Sequence, residues 1–270
     1  MVAKVLATVI FLSFPDQAEF TIFTIYTAVA VSSTFVIAGL SELSEYGTWD
    51  FNYETIISNV GAAAKLVYED VRLALMLPFQ IAFGFASSFV PYYVFGTVIA
   101  GSDSLGTAWV GLLSAIIVLT GALMAIPSAY LANTYGKQVV MSIGGACLSF
   151  AGLIFFFISD SALGTWAAII PFLIMYGIGR GTWENTNKAV IADFFTDTPD
   201  LSTAAFAAVS FSNGLAGSIG YFTFSDMTRL EMAGIVLIAS VTATGCYLLA
   251  SYIHESNKNS GSSRLAKYNS

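Results

Sequence analysis

Charge is what this chain of 270 residues has least of: 10% of it is Asp, Glu, Lys or Arg, against about a quarter in soluble domains. That argues against a large solvated surface. Cysteine and histidine are scarcer still. Cys147 and Cys246 both fall inside apolar runs, which speaks against a disulfide framework. His254 is the single histidine, so no cluster of Cys and His has metal-ligand spacing. No P-loop, GxGxxG or HExxH occurs, and nothing resembles a nucleophile–base pair. The expectation is therefore no enzyme, no resident metal and no cofactor. The formal charge of -7 offers no basic patch for nucleic acid.

What the chain has instead is hydrophobic sequence, 56% of all residues with a mean hydropathy of +0.76. It comes in long runs of the kind a bilayer demands, because a helix needs about 20 apolar residues to cross the hydrocarbon core. Six runs meet or nearly meet that length: residues 73–100, 107–132, 138–159, 163–180, 203–224 and 230–253. Residues 20–40 make a seventh. Residues 1–14 are apolar but too short alone and leave two readings open. One is a signal peptide with Lys4 as its charged start. The other is the tail of a span whose beginning is missing, and Phe14-Pro15-Asp16, which offers no cleavage site, favours it. The fold class is thus all-α, a polytopic transmembrane helix bundle.

Basic residues set the orientation, since Lys and Arg collect in cytoplasmic loops. If the loops alternate from an inner start, Lys4, Lys65, Arg72, Lys137, Arg180, Lys188, Lys258, Arg264 and Lys267 fall inside, and Arg229 alone falls outside. Both ends are then cytoplasmic, and the lipid bilayer is the first partner. The membrane, plasma or internal, is open. Between the second and third runs, Ile56, Ile57, Val60, Ala64, Val67, Val71 and Leu75 recur at helical spacing with polar residues between them. This reads either as an amphipathic helix lying in the interface or as a linker helix packed under the bundle. Thr198-Pro199-Asp200 is a turn signal, and the polar Gly/Ser tail after His254 predicts disorder. The organisation is residues 1–40, a remnant of two apolar segments; 41–72, a cytoplasmic amphipathic linker; 73–253, a six-helix bundle; and 254–270, a disordered cytoplasmic tail.

Six spans after a long inner linker, with two segments before it, form a pattern met in transporters built from two six-helix halves. Residues 127–140, PSAYLANTYGKQVV, resemble the short inner-loop motif of the major facilitator superfamily. Asn133 stands where that motif has an acid, and Lys137 alone replaces a basic pair, while Gly136 suits a tight turn. Residues 177–195, GIGRGTWENTNKAVIADFF, lead into Ala204-Ala-Phe-Ala-Ala208 and then Gly214-Leu-Ala-Gly-Ser-Ile-Gly-Tyr-Phe222. This stretch looks like the Unc-93-like branch of that superfamily, over residues 73–253. The resemblance implies a major-facilitator-like C-terminal half preceded by the end of the N-terminal half. It also implies that the first four spans and much of the fifth are absent, because the chain is a piece of a longer product or a reduced form. Relatives of this kind are associated with potassium-channel regulation and receptor chaperoning.

Arg180, Glu184 and Lys188 are spaced i, i+4, i+8 at the end of the fourth long run, with Asn187 beside them. They form a candidate gate or docking latch, or else an interfacial charge ladder whose long side chains reach water. Gln80 and Asn213 are the candidate intramembrane polar residues, and interhelical hydrogen bonds or packing are the plainer reading of both. Tyr92 and Tyr93 suit an aromatic belt, and His254 suits the interface. Gly177 and Gly181 make a GxxxG. No Asp, Glu, Lys or Arg falls clearly mid-span in the last six runs, and a truncated bundle exposes a face that seeks a partner. The reading is a partner-binding regulator or accessory subunit held by another membrane protein chain. The alternative is half of a secondary transporter for a small-molecule substrate.

Overall fold

A computed structural model of the chain describes residues 2–38, 53–196 and 199–268, and these are helices and short turns with no strand among them. In order they are α1 (Val2–Ser13), α2 (Ala18–Ala38), α3 (Tyr53–Glu69), α4 (Val71–Phe89), α5 (Val110–Leu123), α6 (Ala125–Tyr135), α7 (Lys137–Leu153), the single turn α8 (Asp160–Leu163), α9 (Trp166–Thr182), α10 (Lys188–Phe194), α11 (Pro199–Thr223) and α12 (Arg229–Tyr268). Five stretches are long and apolar enough to cross a membrane: Pro15–Val36, Val71–Ile99, Thr107–Tyr135, Lys137–Phe156 and Arg229–Asn257. The chain is thus a helical membrane protein.

Two local departures from α geometry shape the bundle. Pro91 carries no N–H, so the ladder of α4 cannot continue in register. It reopens as a π-helix over Val90–Ile99, ending with the Ala100 N–H donating to the Phe95 carbonyl at 3.1 Å. The second π segment, Trp183–Asn187, joins α9 to α10 without a break, since Trp183 and Lys188 both keep helical dihedrals. Where the expected fourth run stops at Arg180, the helix continues to Phe194. At the α6–α7 turn, Gly136 takes φ +88°, as a tight turn there requires.

Small residues decide which helices meet, as expected where lipid supplies no hydrophobic drive between them. α4 is covered by α11 on one side and α12 on the other. On the α11 side a Cβ at Gly84 would lie 2.6 Å from the Asn213 carbonyl and 2.7 Å from the Ala216 Cβ. The GxxxG of α9 seats against α5, where a Cβ at Gly181 would lie 2.9 Å from the Gly121 Cα. Gly144 receives Thr182, Gly145 receives Thr244, and Gly152 approaches the Ala233 carbonyl, so α7 joins α9 to α12. Two apolar clusters result. One, around Phe89, Phe155 and Phe172, fills the end of the bundle where Trp109 meets Trp166 edge-on at 5.1 Å. The other, around Met76, Ile191 and Tyr247, fills the opposite end.

Several expectations shift. Residues 41–52, the first part of the predicted linker, and Thr198 of the turn signal lie outside the described residues, as do the side chains of Ile56 and Ile57. α3 packs on α11 and α4, and it does so through Ala63 and Leu66, leaving Val60 65% and Val71 59% exposed. The buried stripe is thus centred on Ala63 and Leu66, with Val67 and Leu75 of the spacing-based stripe half-buried beside it. Helix α12 runs on to Tyr268, through residues whose composition predicts a disordered tail. α1 is held to α5, the Thr8 hydroxyl accepting from the Leu112 N–H at 2.6 Å.

Candidate functional site

Charge is sorted to the two ends of the bundle. At one end Tyr93 donates to Asp160 at 2.6 Å, and Arg229 meets the same carboxylate at 3.2 Å. Tyr93 is therefore buried in a polar contact rather than facing a lipid belt. At the other end Lys137 is paired with Asp193, and Arg72 holds Asp70 through a 2.6 Å ion pair. There His254 Nδ1 lies 3.1 Å from Arg72 Nη1, and its ring stacks on Phe194 with centroids 4.5 Å apart. Burial by itself would raise the Asp70 carboxyl. Hydrogen bonds from the Arg72 side chain and backbone, with its charge, outweigh that and leave Asp70 below the ordinary carboxylate range.

Between the ends, at the waist separating the two apolar clusters, α9 and its π segment bring the polar residues together. Gln80 on α4 and Asn187 on the far side of the π turn are both fully buried. Their amides pair reciprocally, Gln80 Nε2 donating to Asn187 Oδ1 at 3.2 Å and Asn187 Nδ2 donating to Gln80 Oε1 at 3.3 Å. Trp183 Nε1 donates to the same Gln80 oxygen at 2.8 Å, while its ring lies flat on Phe83 at 3.9 Å. A buried amide left alone in hydrocarbon would cost several kcal/mol on water-to-alkane scales. Here each finds a partner on another helix. The π turn is what rotates Trp183 and Asn187 onto one line facing α4, and such turns recur at functional sites.

One helical step around α9 from that network sits an ion pair. Arg180 Nε donates to Glu184 Oε1 at 2.9 Å, with Nη2 at 2.8 Å from the same oxygen. Tyr176 and Asn187 face α4, Gly177 and Gly181 face α5, and Gly179 and Thr182 face α7. Arg180 and Glu184 fall between the first two sets, and their side chains are 35% and 42% exposed. Their level can be read from α7. Gly179 abuts Leu148 and Thr182 abuts Gly144, both within the 20-residue span Lys137–Phe156. Arg180 therefore lies level with the middle of α7, and Glu184, one turn on, lies nearer the Lys137 end. The helix hides this in sequence because it does not stop at its charges.

Two residues that spacing did not single out belong to this neighbourhood. Trp183 is one. Lys4 is the other, assigned by charge asymmetry to the inner side. Its carbonyl packs on Gly111 of α5, and its ammonium is coupled electrostatically to Arg180 and Glu184. Lys188, expected to share Glu184, stands over the Trp183 ring at 5.9 Å. Asn213 lies on the α11 face against Gly84, and its Oδ1 is buried with no hydrogen-bond partner among the described residues. No group of His, Cys, Asp and Glu able to hold a metal ion occurs among the described residues. Such a site can bind charge and order helices. No family model matches this chain, and neither curated proteins nor solved structures show a significant match to it.

Proposed function

We propose that this chain works as a partner-binding regulator or accessory subunit, completed in the membrane by transmembrane helices of another chain. The observation that carries this is the Arg180–Glu184 pair. Its arginine is level with the middle of α7, on a face that the described helices leave more than a third open. Hydrocarbon does not solvate such groups: each charge at mid-depth costs about 2.5–3.5 kcal/mol on insertion scales, and charged residues there face protein or water. A polar counterpart supplied by a second chain meets that need. Regulation of an ion channel or a receptor is what the resemblance of residues 177–222 to the Unc-93-like branch implies, and it rests on those motifs alone.

A second reading, half of a secondary transporter, draws support from one further feature. Gln80, Trp183 and Asn187 form a polar waist at the same depth, joined to the ion pair by an irregular turn. Alternating access needs two halves rocking around such a site.

The test is the native mass of the protein extracted from its own membranes in mild detergent, followed by denaturation to weigh each chain. A 28.7 kDa chain held in a larger complex, and released by Glu184→Gln, supports the accessory reading. A denatured chain near twice that mass supports the transporter reading. A lone, monodisperse 28.7 kDa chain defeats both.

A further inference from the structure

We infer that the cavity at the Lys137 end of the bundle binds a small organic cation through a primary ammonium group. This site stands apart from the Arg180–Glu184 face and from any partner chain.

The cavity encloses about 320 Å³ between the α6–α7 turn, α10 and α12. Small-molecule sites run from roughly 300 to 1,000 Å³, so the space suits a small ligand. Its wall is short of positive charge. Asp193 and Glu255 both line it, and Lys137 is the one lysine or arginine among the lining residues. Lys137 pairs with Asp193 and also donates to the Ala189 carbonyl at 3.3 Å. Glu255 is met by a neutral group, the Gln138 amide, at 2.6 Å. His254, in the same wall, does not restore the balance. A guanidinium can only donate, so the 3.1 Å contact from Arg72 Nη1 makes His254 Nδ1 the acceptor and holds the ring neutral. Arg72 itself is taken by Asp70. One negative charge is left over among the described residues of the wall.

The hydrogen-bonding groups are equally one-sided. Gln138 Nε2 donates to Ser251 Oγ at 3.0 Å and to Glu255 Oε1, which uses both of its protons. Gln138 Oε1, Glu255 Oε2 and Asp193 Oδ1 then accept from no described residue. Surplus acceptors beside a surplus negative charge call for a ligand with a positive charge and several N–H donors on one atom. An –NH3+ group has both. Exposed Tyr135 stands in the same wall, and an aromatic ring suits an ammonium and the carbon next to it. Butylammonium has the required form. Such a group can reach this end of the bundle from two sources: a free amine, or the headgroup of an ethanolamine phospholipid.

The experiment uses the full chain in phosphatidylcholine nanodiscs and follows its thermal unfolding. Butylammonium, tetramethylammonium, butanol and potassium chloride are titrated separately. Butylammonium should raise the midpoint saturably. Tetramethylammonium has the charge without the donors, butanol has the chain without the charge, and neither should match it. Glu255→Gln should weaken the butylammonium response about tenfold or more, the loss of one charge-assisted pair. Lys137→Gln is the decisive variant, because it removes the competing ammonium and opens Asp193 to the ligand. It should bind butylammonium about tenfold more tightly, a gain that misfolding does not produce. A Lys137→Gln protein that binds no better than the parent overturns the site. So does a response to tetramethylammonium, butanol or potassium equal to that for butylammonium. Replacing part of the phosphatidylcholine by phosphatidylethanolamine separates the two sources. A midpoint raised in the parent but not in Glu255→Gln, with the butylammonium response lost, assigns the site to the headgroup. An unchanged midpoint and response assign it to a free amine. The mass measurement proposed above stands or falls without any of these results.

Discussion

Two helices of this chain suit a bilayer equally well by composition and differ in what they meet. The stretch Pro15–Val36, with mean hydropathy 1.4, has none of its window buried against protein, while Val71–Ile99, at 1.8, has 61% buried. Hydropathy reports partition into lipid, and says little about pairing once there. The difference lies in the small and polar residues. In α2 the hydroxyls of Thr24, Ser33 and Thr34 all donate to carbonyls of their own helix, at 2.8–3.2 Å, and need no neighbour. In α4 the Gln80 amide finds its partners 103 and 107 residues away, and Gly84 opens the backbone to α11.

The sharpest way to break that comparison is to put the same bulk in both helices. Gly84→Leu drives a side chain into the Asn213 carbonyl and the Gly217 nitrogen, which cannot yield as side chains do. It should cost about 3 kcal/mol, whereas Ala28→Leu on exposed α2 should stay within about 0.5 kcal/mol. Unfolding in graded detergent mixtures measures both, and equal costs would erase the distinction. Next in size, Gln80→Leu strands the Trp183 N–H and the Asn187 amide together. A loss of about 1–2 kcal/mol is expected, with a shift in Trp183 fluorescence, and no shift would mean that the network is idle. Asp70→Ala removes the N-cap of α4 and should cost about 1 kcal/mol. The pH dependence follows the same group. Its folded pKa is depressed, so its contribution is complete above the ordinary carboxylate value and fades as pH falls through the folded one. Acid titration of the Asp70→Ala protein should lack that fading. Smallest of all, Phe23→Ala, on a ring 74% exposed, should change stability by less than about 0.5 kcal/mol. A larger loss would mean that α2 packs on protein through this face as well as through Tyr26, which donates to the Ala3 carbonyl of α1.

Much of the architecture is legible in sequence, because membrane spans and loop charges are properties of single segments. Five of the seven runs, the tight turn at Gly136 and the sorting of Lys137 and Arg72 from Arg229 read directly. The waist does not. A helix that passes through Arg180 and Glu184 by way of a π turn has no stop signal, so its charges look terminal although the helix runs on to Phe194. Gln80 and Asn187 can each be singled out as polar, yet nothing in one sequence says that they are partners. On α3 the deepest burial falls on Ala63 and Leu66 beside the Val67 that spacing picks out, since alanines serve either side of a stripe equally well. Lys4 needed α5 in place before its neighbours could be known.

The central position of α4 also bears on biosynthesis. Its two walls, α11 and α12, leave the ribosome long after it does, and so does Asn187, which satisfies Gln80. Until they arrive, the nascent α4 has an open glycine groove and an unmatched amide. Shelter during insertion would therefore matter most for this helix, and synthesis stopped before α11 is expected to leave the centre of the bundle unfinished.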